Sequence, residues 1–509
     1  MRKWLPLTTI CLGTFMLLID VTIVNVALPD MVAGLGASFG ALQWVVDAYA
    51  LTLAALVLGA GSIADRTGHR RTYIGGLAVF ALSSLMCGLA PGPGVLIAAR
   101  AVQGIGAAAM FATTFALLNS AYTGRDRGSA YGVWGAVAGA SAAVGPVLGG
   151  LLTQSASWRW IFFVNLPVSA VAVALCVTAL TADRPAARGR TDFGGIATFS
   201  AAAGCATYAL IRANEEGWSD FGVWSLLTLA AGLVGVFTAI EARSPHALLD
   251  LALLRDRSFT AVLLAGFLLT FAAFAVFTYT SIWLQTVLGL SPIGAGLTGL
   301  PMSVTAFAVP AVLGRALHGR RPDLVIGAGL LLIGAGALLT AALLHGSAGW
   351  PALVPGFAVI GVGVGLATPI LGSVSMSLVP PERGGMAAGA VNTTRQLGFA
   401  FGIAVLGSVF AARARSSLAG RGVADPVQVA HAVAGGRLPG LLDDAPAAGR
   451  EFLDSAAHAA AVSGVQATFA VAGVVGVLAG LLVLALMRPA GVPSAGRPEP
   501  RSVSQTAPR

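Results

Sequence analysis

Charge is what this chain has least of. Only 10% of its 509 residues are Asp, Glu, Lys or Arg, against about 25% in soluble globular domains, while 56% are hydrophobic and the mean hydropathy is +0.84. So thin a polar complement cannot clothe a water-exposed surface, and the chain reads as a polytopic membrane protein. Lysine is nearly missing: Lys3 stands alone, so arginine carries the net charge of +9. Those arginines fall in short loops between apolar runs rather than in a stripe interleaved with aromatics. That excludes a nucleic-acid partner and makes membrane topology the origin of the charge. Arginine in place of lysine, with abundant Ala and Gly, is the composition of a GC-rich bacterial genome. Cysteine is scarce too. Cys11, Cys87, Cys176 and Cys205 sit inside apolar runs without C-x-x-C spacing, which excludes redox or metal chemistry through them. The six histidines (His69, His246, His318, His345, His431, His458) lie in loops or near span ends without ligand spacing, so no metal site is expected. G-V-G-V-G at 361–365 has no strand before it and no acidic residue at the right distance after it, so no nucleotide cofactor is expected either.

What the chain does have is apolar length. Crossing about 30 Å of hydrocarbon takes roughly 20 helical residues. Runs of that kind lie near 6–28, 42–63, 73–90, 94–118, 129–153, 160–180, 193–212, 221–240, 258–282, 292–313, 323–344, 351–373, 386–411 and 465–487, which makes fourteen spans. The first follows Met-Arg-Lys but is too long for a signal peptide and lacks a small-residue cleavage site, so it reads as a retained span. Most of the 30 Lys and Arg fall at the ends that an even count starting inside assigns to the cytoplasm. By the positive-inside rule both termini are then cytoplasmic, and the protein is a multi-pass component of a bacterial cytoplasmic membrane. The long outward segment 412–464 carries five arginines balanced by five acidic residues and is expected as an outer loop. Trp44, Trp158, Trp160, Trp218, Trp224, Trp283 and Trp350 are expected at the outer interface, where amphipathic rings prefer to sit. The tail from Pro489, rich in Pro, Ser, Gly and Arg, is expected to be disordered.

Polar residues inside the spans are few and therefore informative. Asp20 and Asn25 interrupt span 1, Asp47 lies nearer the outer end of span 2, and Arg100 and Gln103 open span 4 in R-A-V-Q-G-I-G. A carboxylate in hydrocarbon costs about 2.5 to 3.5 kcal/mol on insertion scales, so Asp20 should face the protein interior, where burial penalises its charged form and makes it a candidate proton carrier. The plainer reading is a structural Asp bonded to a neighbouring helix. An Arg in company with two Asp suggests an ion pair or proton relay, and the alternative is an Arg that snorkels to the interface. Span 5 carries Gly139, Gly145, Pro146, Gly149 and Gly150, small residues that let helices approach closely and a proline that bends one. Asn392, Arg395 and Gln396 place polar side chains in span 13. With Asn25 and Gln103 they are the candidate lining of a substrate cavity.

The loop G-S-I-A-D-R-T-G-H-R-R at 61–71 joins spans 2 and 3. It resembles the signature G-x-L-A-D-R-x-G-R-R of the major facilitator superfamily, with Ile63 in the Leu position and His69 in the first basic position. L-G-R-A-L-H-G-R-R at 313–321 holds a similar place after span 10, with His318 where the aspartate would be. Superimposing the two loops aligns spans 1–6 with 9–14 and leaves spans 7 and 8 as an insert. The expected architecture is thus all-α integral membrane: a six-helix bundle at 1–180, inserted helices at 181–257, a second bundle at 258–488 and a tail at 489–509. The span-5 pattern, W-R-W-I-F-F-V-N-L-P at 158–167 and L-I-D-V-T-I-V-N-V-A-L-P at 18–29 are similar to the fourteen-helix drug:proton antiporters, the exporters of drugs, antiseptics and antibiotics.

That resemblance implies export of a small amphiphilic drug, antibiotic or toxic metabolite in exchange for protons, by a monomer with no cofactor beyond the proton. It implies proton coupling through Asp20, Asp47 and Arg100, and a conformational switch at Gly61, Asp65, Arg66, Gly68, Arg70 and Arg71. Asp65 is expected to meet the positive N-terminal end of a helix in the other bundle. No Asp or Glu is read within spans 9 to 14, so the substrate is expected to be neutral, zwitterionic, anionic or monocationic rather than dicationic. The rival functions are a facilitator or importer of the same fold and, from another class, a membrane-embedded enzyme or sensor.

Overall fold

The computed structural model describes residues 2–487 apart from 37–38, 182–191, 245–248, 318–319, 346–347, 381–382, 437 and 445. His318 and the tail from Pro489 therefore lie outside the described residues, which form helices and no strand. Lipid offers no partner for a backbone N–H or C=O, so each apolar run must satisfy its own, and at 1.5 Å per residue a helix does so while crossing. The long helices are α1 (Leu5–Leu35), α2 (Phe39–Thr67), α3 (His69–Gly88), α4 (Pro93–Ala121), α5 (Gly124–Ser155), α6 (Asn165–Ala179), α7 (Phe193–Glu216), α8 (Phe221–Glu241), α9 (Arg257–Ala273), α10 (Leu300–Leu317), α11 (Pro322–Leu343), α12 (Val354–Ser377), α13 (Gly384–Gly420) and α14 (Ala447–Leu486). Thirteen of these segments, searched among the described residues, are long and apolar enough to span a membrane. The expected fifth span falls in α5, whose 32 residues run unbroken across Pro146.

Asp192, Asp220 and Asp256 cap α7, α8 and α9, their carboxylates accepting from backbone N–H groups of the first turn. A short helix, Trp160–Phe163, leads into α6, while Val276–Ile282 and a π-helical turn Trp283–Val287 extend α9. Segment 412–464 departs from expectation. It is not a loop: α13 and α14 continue as helix beyond their apolar stretches, and Pro426–Ala434 and Leu438–Asp444 bridge them. This cap packs on the π-helical turn, and Trp283 beneath it is fully buried in protein rather than set at an interface. Trp158 is buried as well, with the Arg159 guanidinium 4.3 Å from its ring.

Helices α1–α6 and α9–α14 form two bundles with one contact plan. The pairs α1 with α5, α3 with α4, and α2 with α4 recur as α9 with α13, α11 with α12, and α10 with α12. Glycines fix the register. A Cβ on Gly76 would lie 2.8 Å from Gly106 O, and one on Gly329 would lie 2.8 Å from Gly363 O. Likewise Gly145 meets Thr22 as Gly398 meets Thr270, and Gly149 meets Ile23 as Gly402 meets Phe271. The bundles join along two seams, α2 with α13 and α5 with α10, and the inserted helix α7 lies against both α2 and α13.

Candidate functional site

Six polar side chains from four helices meet inside the first bundle. Asp20 of α1, Ser84 and Cys87 of α3, Arg100 and Gln103 of α4, and Asn165 at the start of α6 are all buried, and Asp20, Arg100 and Gln103 are wholly so. Arg100 Nη1 donates to Asp20 Oδ2 and, at 2.7 Å, to Gln103 Oε1, while its Nε donates to Val45 O at 2.9 Å. Gln103 Nε2 donates to Asp20 Oδ1 at 3.0 Å and to Ser84 Oγ at 2.8 Å. Asn165 Nδ2 reaches the same two oxygens at 3.1 and 3.3 Å. The Arg100 guanidinium also lies 4.4 Å from the ring centre of Tyr49, and its Nη2 has no hydrogen-bond partner.

Two opposite charges without water are tolerated when geometry and further hydrogen bonds satisfy both, and removing one partner costs about 3–5 kcal/mol. The arrangement is thus an ion pair with one bond to spare on the arginine. Gln103, expected in the cavity lining, is instead part of this buried group. Asp47 is half-buried on α2 and is not among the partners of Asp20 or Arg100. Ser84 and Asn165 were not singled out by sequence; an amide inside an apolar run was the available signal for Asn165.

Residues 61–71, expected as a loop, are instead the last turns of α2 and the first of α3 with Gly68 alone between them, and they form a clasp between bundles. Gly385 N and Met386 N at the first turn of α13 donate to Asp65 Oδ1 and Oδ2 at 2.7 and 2.9 Å, and His69 Nε2 lies 3.0 Å from Oδ1. A carboxylate on two orphan N–H groups at a helix N-terminus is favoured by both charge and dipole. Gly61 makes the approach possible: its Cβ would fall 2.3 Å from Gly385 O. Gly68, between α2 and α3, has φ +98°, which favours glycine. Arg70 donates to Cys176 O and Val177 O at 3.2 and 2.8 Å, tying the clasp to the last turn of α6. Arg66 is half-buried with partners of its own, and Arg71 is exposed.

Further contacts join the bundles, and the short helix Pro292–Leu297 before α10 packs on α5 as well. Gly132 of α5 abuts Pro310 O, Gly135 abuts Pro369, and Phe115 abuts Gly372. Asn392 Nδ2 donates to Phe111 O at 3.1 Å. Asn392, expected to line the cavity, is buried and bonds across to the other bundle, and Arg395 and Gln396 lie one turn beyond it, half-buried. On α5, a Cβ on Gly145 would fall 1.8 Å from Thr22 Oγ1 and one on Gly149 2.9 Å from Ile23 Cγ1, so this face packs on α1; Gly150 is buried. The side chains of Asn25 and Pro146 and the surroundings of Gly139 lie outside what the structure describes. Asp323 stands at the first turn of α11, buried and paired with Arg321 at 2.6 Å, so one carboxylate does stand at the edge of a C-terminal span.

Comparison with known proteins agrees with this architecture. The sequence profile of the Major Facilitator Superfamily matches residues 10–403. The chain is 36% identical over 421 residues to the multidrug resistance protein Stp of Mycobacterium tuberculosis, covering 82% of this chain and 78% of that one. It is 35% identical to the puromycin resistance protein pur8 of Streptomyces alboniger, with 84% and 86% covered, and 31% identical to the tetracenomycin C resistance and export protein of Streptomyces glaucescens, with 95% and 91% covered. Among solved structures, the human organic anion transporter MFSD10 (TETRAN) superposes with a TM-score of 0.62 over 94% of this chain and 99% of that one at 15% identity, a likeness of fold alone.

Proposed function

This chain belongs to the major facilitator superfamily, a transport protein rather than an enzyme, and from that premise we propose that it exports a small amphiphilic drug, antibiotic or toxic metabolite across the bacterial cytoplasmic membrane in exchange for protons. The observation that carries the proposal is the buried Asp20–Arg100 pair, an ionisable couple in the interior of a chain whose relatives bear the names of resistance and export proteins. In this reading the basic Asp65 end lies in the cytoplasm, and the clasp holds the inner side closed. A proton from outside joins a carboxylate oxygen of Asp20, Arg100 loses its counter-charge, and α1 and α4 are free to shift against α3 and α6. The clasp then opens, the proton leaves Asp20 to the cytoplasm, and substrate enters from the inner leaflet for the return.

The driving force is of the right size. One proton falling through about 100 mV contributes roughly 2.3 kcal/mol, and each pH unit roughly 1.4, so about 4 kcal/mol sustains a gradient near a thousandfold. Flux measured in everted vesicles tests the reading. Wild-type protein should accumulate an amphiphile only while a proton gradient is imposed and lose it when the gradient is collapsed. Equilibration that ignores the gradient would replace the exporter by a facilitator.

A further inference from the structure

Of the ionisable side chains deep in the spans, Arg395 of α13 is placed differently from the rest. Asp20 and Arg100 neutralise each other. Among the described residues Arg395 has no ion pair or side-chain hydrogen bond, and its Nε is buried without a partner. Its depth follows from helix geometry: counting from Gly384 at 1.5 Å per residue puts it about 16 Å into a core about 30 Å thick, close to the midplane. Its direction follows from its neighbours. Gly385, Gly389 and Asn392 face α2 and α4 of the other bundle, whereas Gly398 and Gly402 face α9. Arg395 lies between these faces, its stem against Gly266 of α9, one turn beyond the Asn392 contact with the other bundle. The rings of Phe267 and Phe401 lie 5.9 Å apart, tilted by 43°, across the same α9–α13 seam.

A half-buried guanidinium with an unpartnered Nε is stabilised by whatever anion reaches it, and the described interiors of α9–α14 offer it no carboxylate. We propose that Arg395 is the counter-charge for an acidic group on the exported molecule, so that the substrate class is amphiphilic organic anions with an aromatic or other apolar body and one carboxylate, sulfonate or ionised phenol. This rests on the export reading above and narrows it: the acidic group meets the planar fork of Arg395, and the apolar body lies along the phenylalanines of the α9–α13 seam. A cation would meet like charge at the same point.

Two probes sharing one skeleton test the assignment, 8-anilinonaphthalene-1-sulfonate and its uncharged analogue N-phenyl-1-naphthylamine, titrated onto the full-length protein in nanodiscs with the signal of protein-free discs subtracted. Arg395→Gln should weaken the sulfonate by about tenfold or more and the neutral probe by less than about twofold, since one charge-assisted pair is lost and the apolar contacts remain. Arg395→Lys should recover most of the sulfonate affinity, which a merely unfolded Arg395→Gln protein would not allow to be misread. Equal weakening of both probes, no weakening of either, or no sulfonate binding by the wild type overturns the proposal. Displacement of the sulfonate by millimolar chloride but not gluconate overturns it too, by making the site one for an inorganic anion. Transport of the same probes in everted vesicles separates the two readings: Arg395-dependent binding without gradient-driven export refutes the export function and keeps the anion site, whereas gradient-driven export indifferent to probe charge does the reverse.

Discussion

The two bundles pack alike and are charged differently. Carrying the glycine register from the first to the second places Asp20, Ser84, Arg100 and Gln103 opposite Leu268, Ala337, Phe357 and Ile360. Ala337, Phe357 and Ile360 are fully buried members of one apolar core against which Leu268 packs, and Phe357 lies between Phe277 and Phe469 with ring centres 5.0 and 6.0 Å away. Where the first bundle holds an ion pair with two amides and a hydroxyl, the second holds aromatic and aliphatic contacts of similar bulk. A buried ion pair contributes little net stability compared with an apolar replacement. The ion pair thus gives the first bundle an ionisable couple that its apolar counterpart lacks.

The largest effect should come from removing that difference. Asp20→Asn cannot exchange a proton in the working range, so gradient-driven export in vesicles should fall to background. The same change leaves Arg100 buried without its counter-charge, and thermal unfolding should report a loss of about 3–5 kcal/mol. The double variant Asp20→Asn with Arg100→Gln separates the two consequences: it should regain stability and not export. Full export by Asp20→Asn would move the coupling out of the first bundle and end the contrast.

Next in size are substitutions that treat the halves as equals. Gly145→Leu drives a branched side chain into Thr22, and Gly398→Leu drives one into Thr270 and Phe267 O, where a Cβ alone would stand 2.1 Å away. Overpacking of this kind costs about 1–3 kcal/mol or more, so both variants should lose most export, and each should melt below wild type. Tolerance of Gly398→Leu beside failure of Gly145→Leu would show that the shared packing plan is not equally strict. Smaller again is Asp65→Asn, which keeps the side chain's size but removes its charge and leaves one accepting oxygen for the two backbone N–H groups of α13. Hydrogen bonds to an ionised group are about twice as strong as neutral ones, so a shift of about 1–2 kcal/mol toward opening is expected, a factor of roughly 5 to 30 in the population open at the Asp65 end. Labelling of cysteines introduced at that end, in a background without the four native ones, should rise; maximal transport rate should fall, and KM should barely move. A changed KM with unchanged labelling would contradict the clasp.

Much of this was legible in the sequence because the bilayer imposes lengths and makes charges costly. Fourteen apolar runs coincide with the long helices, and Asp20 and Arg100 stood out because hydrocarbon tolerates neither alone. That Asp65 meets the N-terminal end of a helix in the other bundle followed from one charged turn and the helix dipole; that this helix is α13 did not. Partners distant along the chain did not follow. Ser84 and Asn165 are unexceptional residues in their own helices and matter only because α3 and α6 bring them to Asp20. Gln103 and Asn392 were read as cavity lining because a polar residue in a span has many ways to be satisfied, and sequence does not say which neighbour satisfies it. The helical cap over Trp283 was missed for another reason: hydropathy ends where water begins, while α13 and α14 continue past it as amphipathic helix.

The smallest expected effect tests how far the inserted pair takes part. Arg383, just before α13, bonds through Nη1 to Asp250 in the connector from α8 to α9, beside the Asp65 clasp. Both side chains are substantially exposed, at 50% and 36%, whereas those of Asp65 and His69 are at 7% and 14%. Exposed pairs contribute about 0–1 kcal/mol and are screened by salt, so Arg383→Gln should raise labelling at the Asp65 end by less than about fivefold in low salt and by nothing measurable near 0.5 M. The effect of Asp65→Asn, arising in a buried carboxylate on two backbone donors, should persist at both salt concentrations. Were Arg383→Gln to match Asp65→Asn, and to do so in high salt, the connector would be a working part of the closure rather than an ornament on its rim. The contrast would then lie between three bodies, because α7, packed on α2 and α13, would bind the two bundles together from outside the repeat.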